Sequence, residues 1–407
     1  MLSLIATFVL FPGVGSGGSI LFAGIWLFSL PYWLFDRDAR SFNRNETALV
    51  SVFAAYFLIM ATFAFAHAVR SDQTSGFGAV YSNLPFLLIG PVLPVLRRAA
   101  EPEWLERVFA GIAWGALLAA ALVTIGAWFY PEIGRKALSG NPLVLALGAL
   151  VSGMLCNHGV LFFSGRMRWL AAAGALASLY VLLTTGSRGP ILSYGIAVTL
   201  YAAIMGYRHF GLRWMLGRYV AWLLIFVASI AMVERSDPQL SQRVTVAMER
   251  LSSPSDKTIK ENSVRTRFVL YESGLRAFLD RPLTGYGRQN AVKATKDHSN
   301  GAADEHFHFT HLHNGYLTDL VSSGALGLLS LLAVLMVPLA LFWNARPVVF
   351  GGVLSVTLAY VFYGATNLLF YHDVVTLLFL SLICVFSALS PPGTIGDRRS
   401  SHWNEPE

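Results

Sequence analysis

Residues 47–68 read TALVSVFAAYFLIMATFAFAHA, an unbroken apolar run with no Asp, Glu, Lys or Arg. A helix needs about 20 apolar residues to cross the hydrocarbon core of a bilayer, and this stretch supplies them. Similar runs recur at 77–96, 107–130, 142–163, 168–184, 190–206, 216–233, 314–342, 347–370 and 373–390. Residues 1–35 are also apolar but are interrupted by the Gly-rich stretch from Pro12 to Gly18, so they read as two short spans or as one span with a re-entrant piece. Taking two gives about twelve transmembrane helices. Composition agrees: of 407 residues 55% are hydrophobic and 13% charged, against about 25% charged in a soluble domain. There is too little polar surface to face water on every side.

The net charge of +7 would suggest nucleic acid in a soluble protein. Here it follows from loop placement, and no nucleic-acid partner is expected. With the N-terminus inside, the inner loops and tail collect fourteen basic residues, among them Arg37, Arg97, Arg98, Arg208, Arg346 and Arg398. The short outer loops hold Arg70, Arg135, Lys136 and Arg188. This asymmetry follows the positive-inside rule. The expected organisation is therefore about nine helices over 1–233, an outer segment over 234–312, about three helices over 313–390 and an inner tail at 391–407. No cleavable signal peptide is evident: residues 1–12 lack a basic region and read as the start of the first span. Cys156 and Cys384 lie within apolar runs and read as small core residues. Between Leu49 and Val233 the span interiors contain no Asp or Glu. Acids inside spans mark ion and proton paths, so their absence there counts against a coupled transporter and favours chemistry at the membrane surface.

The outer segment 234–312 carries twelve Lys or Arg, ten Asp or Glu and four histidines. Ser263 is a candidate N-cap, and Phe268, Tyr271, Leu275, Phe278 and Leu279 recur at helical spacing. That pattern would lay a helix along the membrane or against the bundle. Pro282 ends it, Leu283-Thr284-Gly285-Tyr286-Gly287 reads as a turn, and 289–305 reads as a mobile polar loop.

Three stretches carry candidate chemistry. In Thr184-Thr185-Gly186-Ser187-Arg188-Gly189-Pro190, Pro190 suits the first turn of a helix. A helix N-terminus beside an arginine attracts phosphate; the plainer alternative is a tight turn with a snorkelling Arg188. Arg265 and Arg267 sit near the start of the outer helix but cannot share one face at that spacing. They either serve the membrane mouth or form a solvated basic surface. In His306-Phe307-His308-Phe309-Thr310-His311-Leu312-His313-Asn314, alternating histidines are either a metal site or a source of a general base with an ordinary pKa near 6.5. Beyond Asp304 and Glu305 no carboxylate or cysteine completes a closed metal site, so no metal and no cofactor is assigned.

These stretches resemble the O-antigen ligase and polymerase superfamily of bacterial envelope lipid-linked glycan transferases. His313-Asn314 followed by nine residues and Gly324-Ala325-Leu326-Gly327 is similar to the ligase pattern. Arg267 followed by Pro282-Leu283-Thr284-Gly285-Tyr286-Gly287, and Ser187-Arg188-Gly189, resemble two further family elements; Tyr271 stands where many relatives have Trp. The resemblance covers about 180–342. It implies an all-α, GT-C-like integral membrane protein of about twelve spans with a large periplasmic loop between helices nine and ten. It also implies location in the bacterial inner membrane with the active site facing the periplasm. The implied activity is a metal-independent, inverting transfer from an undecaprenyl-diphosphate-linked glycan donor to a sugar hydroxyl of lipid A-core or to another glycan acceptor.

Carried onto this sequence, His313 is the base and Arg188 and Arg267 hold the diphosphate. Arg265, His311, Asn314 and Ser187 would serve substrate binding, with His311 the alternate base. Gly324 and Gly327 read as structural, because small residues at that spacing let membrane helices approach. Within the superfamily, Arg276 and Gly287 fit a polymerase-like Arg-x10-Gly element once, whereas Arg70 and Arg135 do not, since Tyr81 and Ala146 stand at the end position. A third reading is a non-catalytic carrier of lipid-linked solutes, which predicts charges lining a central path.

Overall fold

The structure, a computed structural model, describes residues 17–36, 40–71, 78–101, 103–129, 140–211, 263–299 and 311–390, with isolated helical positions between 217 and 227. All regular structure among these residues is helical. In chain order the helices are α1 (Gly17–Phe35), α2 (Arg44–Ser71), α3 (Gly78–Tyr81), α4 (Leu84–Leu88), α5 (Val92–Ala99), α6 (Trp104–Phe129), α7 (Pro142–Phe162), α8 (Gly165–Thr184), α9 (Arg188–Met205), α10 (Ser263–Asp280), α11 (Ala291–Asp297), α12 (Gly315–Leu341), α13 (Pro347–Gly364) and α14 (Asp373–Ala388). Seven of the described helices are long and apolar enough to cross a membrane, and α1 and α14 are shorter apolar helices. The chain is a multi-pass membrane protein. The expected helix at 216–233, the residues before Gly17, the tail beyond 390 and the histidines at 306 and 308 lie outside the described residues, as do Asp304 and Glu305.

Local chemistry accounts for the helix starts. Asn43 and Glu46 cap α2 reciprocally: each backbone N–H donates to the other's side chain at 2.9 Å, a capping box. Asn141 accepts from Leu143 N–H at 2.9 Å with Pro142 behind it, and Pro347 opens α13. The bundle is close-packed through small residues. A Cβ at Gly174 on α8 would lie 2.8 Å from Ala113 Cα on α6 and 2.8 Å from Cys156 Sγ on α7. Cys156 and Cys384 are buried free thiols, as the sequence suggests. His158, buried in α7, is held by Tyr201 Oη and the Val348 carbonyl.

The two ends of the bundle differ. One end gathers the arginines: Arg97 pairs with Glu46 at 2.7 Å and Arg98 with Asp36 at 2.6 Å. Arg208 lies 4.0 Å over the Trp343 ring, and Arg346 donates to Leu389 O at 2.9 Å. The other end carries α10, α11 and the irregular segments described below. Leu270, Ala277, Ala291, Ala294, Leu312 and Val321 form a small core of their own there.

Three expectations are corrected. Residues 77–96 are not one helix but the short helices α3, α4 and α5. Pro85, Pro91 and Pro94 each remove a backbone donor, and the segment still runs from one end of the bundle to the other, from Ser82 beside Phe370 to Arg97 beside Glu46. Residues 289–305 are not all loop: α11 forms because Ala291 and Ala294 share a buried face. Finally, α12 is not continuous. Ser323 (φ −134°, ψ 16°) and Gly324 (φ 65°, ψ −160°) break it.

Candidate functional site

The break in α12 receives the turn that follows α10. In an unbroken helix the Val321 carbonyl would accept from Ala325 N–H. Here Ala325 N–H donates to Pro282 O at 2.8 Å, and Val321 O accepts from Tyr286 N–H at 2.9 Å. Gly287 N–H donates to Ser322 O at 2.8 Å. The Pro282–Gly287 turn thus takes over bonds that the helix gives up. Only glycine fits the contact on either side: a Cβ at Gly285 (φ 57°) would lie 2.5 Å from Ser322 C, and one at Gly324 would lie 2.6 Å from Pro282 O. This changes the reading of Gly324. It is structural, but it admits a turn into a helix break rather than a neighbouring helix. At Gly327 the atoms a Cβ would meet belong to Ser323 and Asp319 of the same helix.

Docking of the turn fixes α10 against the start of α12, and this brings the candidate base to the candidate arginine. Gly274 lies against Leu317, where a Cβ would be 2.9 Å from Leu317 Cδ2. Tyr271 Oη donates to the His313 carbonyl at 3.2 Å. His313 has φ 53°, a left-handed conformation uncommon outside glycine. The His311 and His313 rings lie 4.2 Å apart at 58°. Burial, then His311, then the Arg267 charge lower the His313 pKa to about 4. Burial and Arg267 lower that of His311 as well. At about 4, the His313 imidazole is neutral at pH 7, the state a general base needs.

Asn314 acts as the N-cap of α12, accepting from Leu317 N–H at 3.0 Å, and its side chain also reaches Tyr271. The structure therefore gives it a local role besides any contact with substrate. Arg265 lies two residues before Arg267 on α10, and its side chain is outside the described residues.

Arg188 is the exposed first residue of α9, and the N-cap Ser187 makes no side-chain cap bond. The next residue, Gly189, lies against Thr366: a Cβ there would be 2.5 Å from Thr366 Oγ1. Gly315, next to the His313-Asn314 pair, lies against the same connection, with a Cβ position 2.9 Å from Leu369 N. The turn bearing Arg188 and the loop bearing His313 thus rest on one strap, residues 365–372 between α13 and α14.

The sequence reading missed a second polar group beside this strap. Asp319 is buried in α12 and accepts from Tyr56 Oη at 2.9 Å. Arg288 lies 3.3 Å over the Tyr371 ring and donates to Phe370 O at 3.1 Å. An acid inside a span was the available signal, but the absence of acids noted between Leu49 and Val233 does not extend to α12. Among the described residues no group of three His, Cys, Asp or Glu side chains is placed to hold a metal.

Comparison with known proteins now gives the arrangement its relatives. Residues 173–332 match the O-antigen ligase family. Over that stretch the chain is similar to the O-antigen ligase superfamily. That stretch runs from α8 through the α12 break and contains Arg188, Arg267, the docked turn, His313, Gly324 and Gly327. The O-antigen ligase of Escherichia coli K12 is 23% identical over 258 residues, which are 62% of this chain. The match spans 59% of the length of that relative. A Haemophilus influenzae protein described only as uncharacterized is 20% identical over 327 residues, 77% of each chain.

Proposed function

We propose that this protein is an O-antigen ligase that moves a glycan from undecaprenyl diphosphate to a sugar hydroxyl of lipid A-core, with inversion and without a metal. The observation that carries the reading is the approach of α10 to the start of α12, which sets the Arg267 charge close enough to act on the His313 ring. In this mechanism neutral His313 takes the proton of the acceptor hydroxyl. The freed oxygen attacks the anomeric carbon of the donor sugar from the face opposite the diphosphate. The bond from that carbon to the diphosphate oxygen breaks, and undecaprenyl diphosphate leaves with the electron pair. Arg267, Arg188 and the N-terminus of α9 meet the charge that develops on it. Preorganised donors of this kind are each worth about 10²–10³ in rate.

Site residues at the end opposite the arginine cluster of Arg97, Arg98, Arg208 and Arg346 would face the periplasm of a bacterial inner membrane, following the positive-inside rule. Donor and acceptor would enter from the same leaflet.

Reconstitution with an undecaprenyl-diphosphate glycan and lipid A-core tests the proposal. Glycan on lipid A-core supports it, and a chelator should leave the rate unchanged. Longer glycan still on the carrier would instead mean a polymerase, and movement of intact lipid-linked glycan without a new bond would mean a carrier.

A further inference from the structure

The strap 365–372 is held from beneath by a second set of side chains. Phe370 is fully buried at φ 52°, so its carbonyl is turned inward and its ring enters a cluster with Tyr56, Phe86, Tyr360 and Phe379. Three donors converge on that carbonyl: Arg288 Nη2 at 3.1 Å, Ser82 Oγ at 3.2 Å and, with its amide oriented to match its neighbours, Asn83 at 2.5 Å. Asn83 in turn accepts from Arg288 Nη1 at 3.0 Å.

The Arg288 guanidinium stacks 3.3 Å from the centre of the Tyr371 ring, and its charge acts on the Asp319 carboxylate. Tyr371 Oη lies 3.2 Å from Ser322 Oγ, beside the α12 break. One guanidinium therefore joins four elements: the docked turn that carries it, the α3–α4 corner, the strap and α12. Only a planar fork can stack and donate along several directions at once.

Motion of this strap would be felt at both halves of the site. Thr366 lies under Gly189, beside Arg188, and Leu369 lies under Gly315, beside the His313-Asn314 pair. The strap has little helical bonding of its own: Thr366 and Asn367 N–H both donate to Tyr363 O, and its inner half is fixed by the contacts just described. Placing a buried Asp319 and a half-buried Arg288 in an apolar bundle is costly unless each is bonded or paired, and such groups are expected where they hold a geometry.

We infer that Arg288, with Asp319 and Tyr371, is a positioning residue for the transfer reaction: it locks the 365–372 strap and so sets Arg188 opposite His313. The inference rests on the proposed transfer activity for its kinetic half and on the fold alone for its structural half.

The test uses the full chain in nanodiscs. In Arg288→Lys the charge stays but the fork is lost. Amide exchange across 365–372 should rise at least tenfold, and kcat should fall at least tenfold while donor KM changes less than threefold. Tyr371→Leu, which removes the ring under the guanidinium and the hydroxyl beside Ser322, should behave like Arg288→Lys. If Arg288→Lys fails to fold, Tyr371→Leu carries the same two readings. Wild-type exchange in the strap of either variant would overturn the lock, and faster exchange with unchanged kcat would overturn the positioning role. Faster exchange in variants of a wild type that transfers no glycan would overturn the proposed function instead, which separates the two failures.

Discussion

Replacing Gly324 by Ala should eject the Pro282–Gly287 turn and straighten α12. The backbone of Gly324, at φ 65° and ψ −160°, lies in a region essentially reserved for glycine, where another residue costs about 1–3 kcal/mol. The new Cβ would also sit 2.6 Å from Pro282 O and 2.6 Å from Leu283 C, and overpacking of this kind costs about 1–3 kcal/mol more. Keeping the break thus costs about 2–6 kcal/mol. The alternative is to rewind the helix, which restores its own Val321-to-Ala325 bond but strands Tyr286 N–H, Gly287 N–H and Pro282 O. At about 1 kcal/mol net per bond, three bonds lost and one regained cost about 2 kcal/mol, so that route competes with the strained one. Hydrogen exchange reads it directly: about 2 kcal/mol corresponds to roughly 30-fold faster exchange at Tyr286 and Gly287. Transfer should fall with it, because the turn fixes α10 and hence Arg267. Gly285→Ala strikes the same contact from the other side, so the double variant should cost less than the sum of the two. Gly24→Ala, with nothing within 4 Å of the new atom, is the neutral control. Wild-type protection at Tyr286 and Gly287 in Gly324→Ala, or strict additivity with Gly285→Ala, would show that Gly324 does not hold the turn in the break.

His313→Ala should abolish transfer while leaving expression and membrane insertion intact, as measured by product formation on purified protein. With burial and the Arg267 charge holding His313 down at about 4, the base is neutral above that pH and is lost as pH falls through it. The acid limb of kcat/KM should therefore lie well below 6.5. A bound diphosphate offsets the Arg267 charge, so the acid limb of kcat should lie higher than that of kcat/KM; coincident limbs near 6.5 would remove His313 as the base. Arg188→Lys and Arg267→Lys should each lower the rate despite keeping charge, because a point charge cannot reproduce a forked contact with phosphate oxygens. Wild-type rates in both would remove the diphosphate clamp.

Much of the bundle was legible because hydropathy reports burial in lipid residue by residue. Runs such as 142–163 and 373–390 needed no tertiary information. The crossing at 77–96 defeated that method because hydropathy is blind to backbone hydrogen bonds, although Pro85, Pro91 and Pro94 were in plain view. The α12 break was harder still. Nothing near Gly324 signals that a turn some forty residues upstream will occupy it, and Gly-x-x-Gly reads equally well as helix packing. Arg267 and His313 were legible only through their order along the chain. Their approach depends on Gly274 seating α10 on Leu317, a long-range contact with no local mark. Asp319 stood alone among the apolar residues of α12 and could have been found. Arg288 could not, since its meaning comes from Tyr371 and Phe370 on a distant strap.

Irregular backbone is costly at membrane depth unless protein satisfies it, and the irregularities here satisfy one another. The α12 break offers the Val321 and Ser322 carbonyls, to which the docked turn donates its Tyr286 and Gly287 N–H groups. The same turn delivers Arg288, which meets the inverted Phe370 carbonyl. The corner between α3 and α4, left open by the broken crossing, supplies Ser82 and Asn83 to that carbonyl. Removing any one of these would strand polar groups in the other two, so they form a single polar unit at one end of an otherwise apolar bundle. That unit adjoins the elements that bear Arg188, Arg267 and His313, and a rigid irregular cap is what the proposed transfer would require: a water-facing acceptor and a lipid-borne donor would have to meet at the membrane boundary, where regular helices alone would offer only their ends.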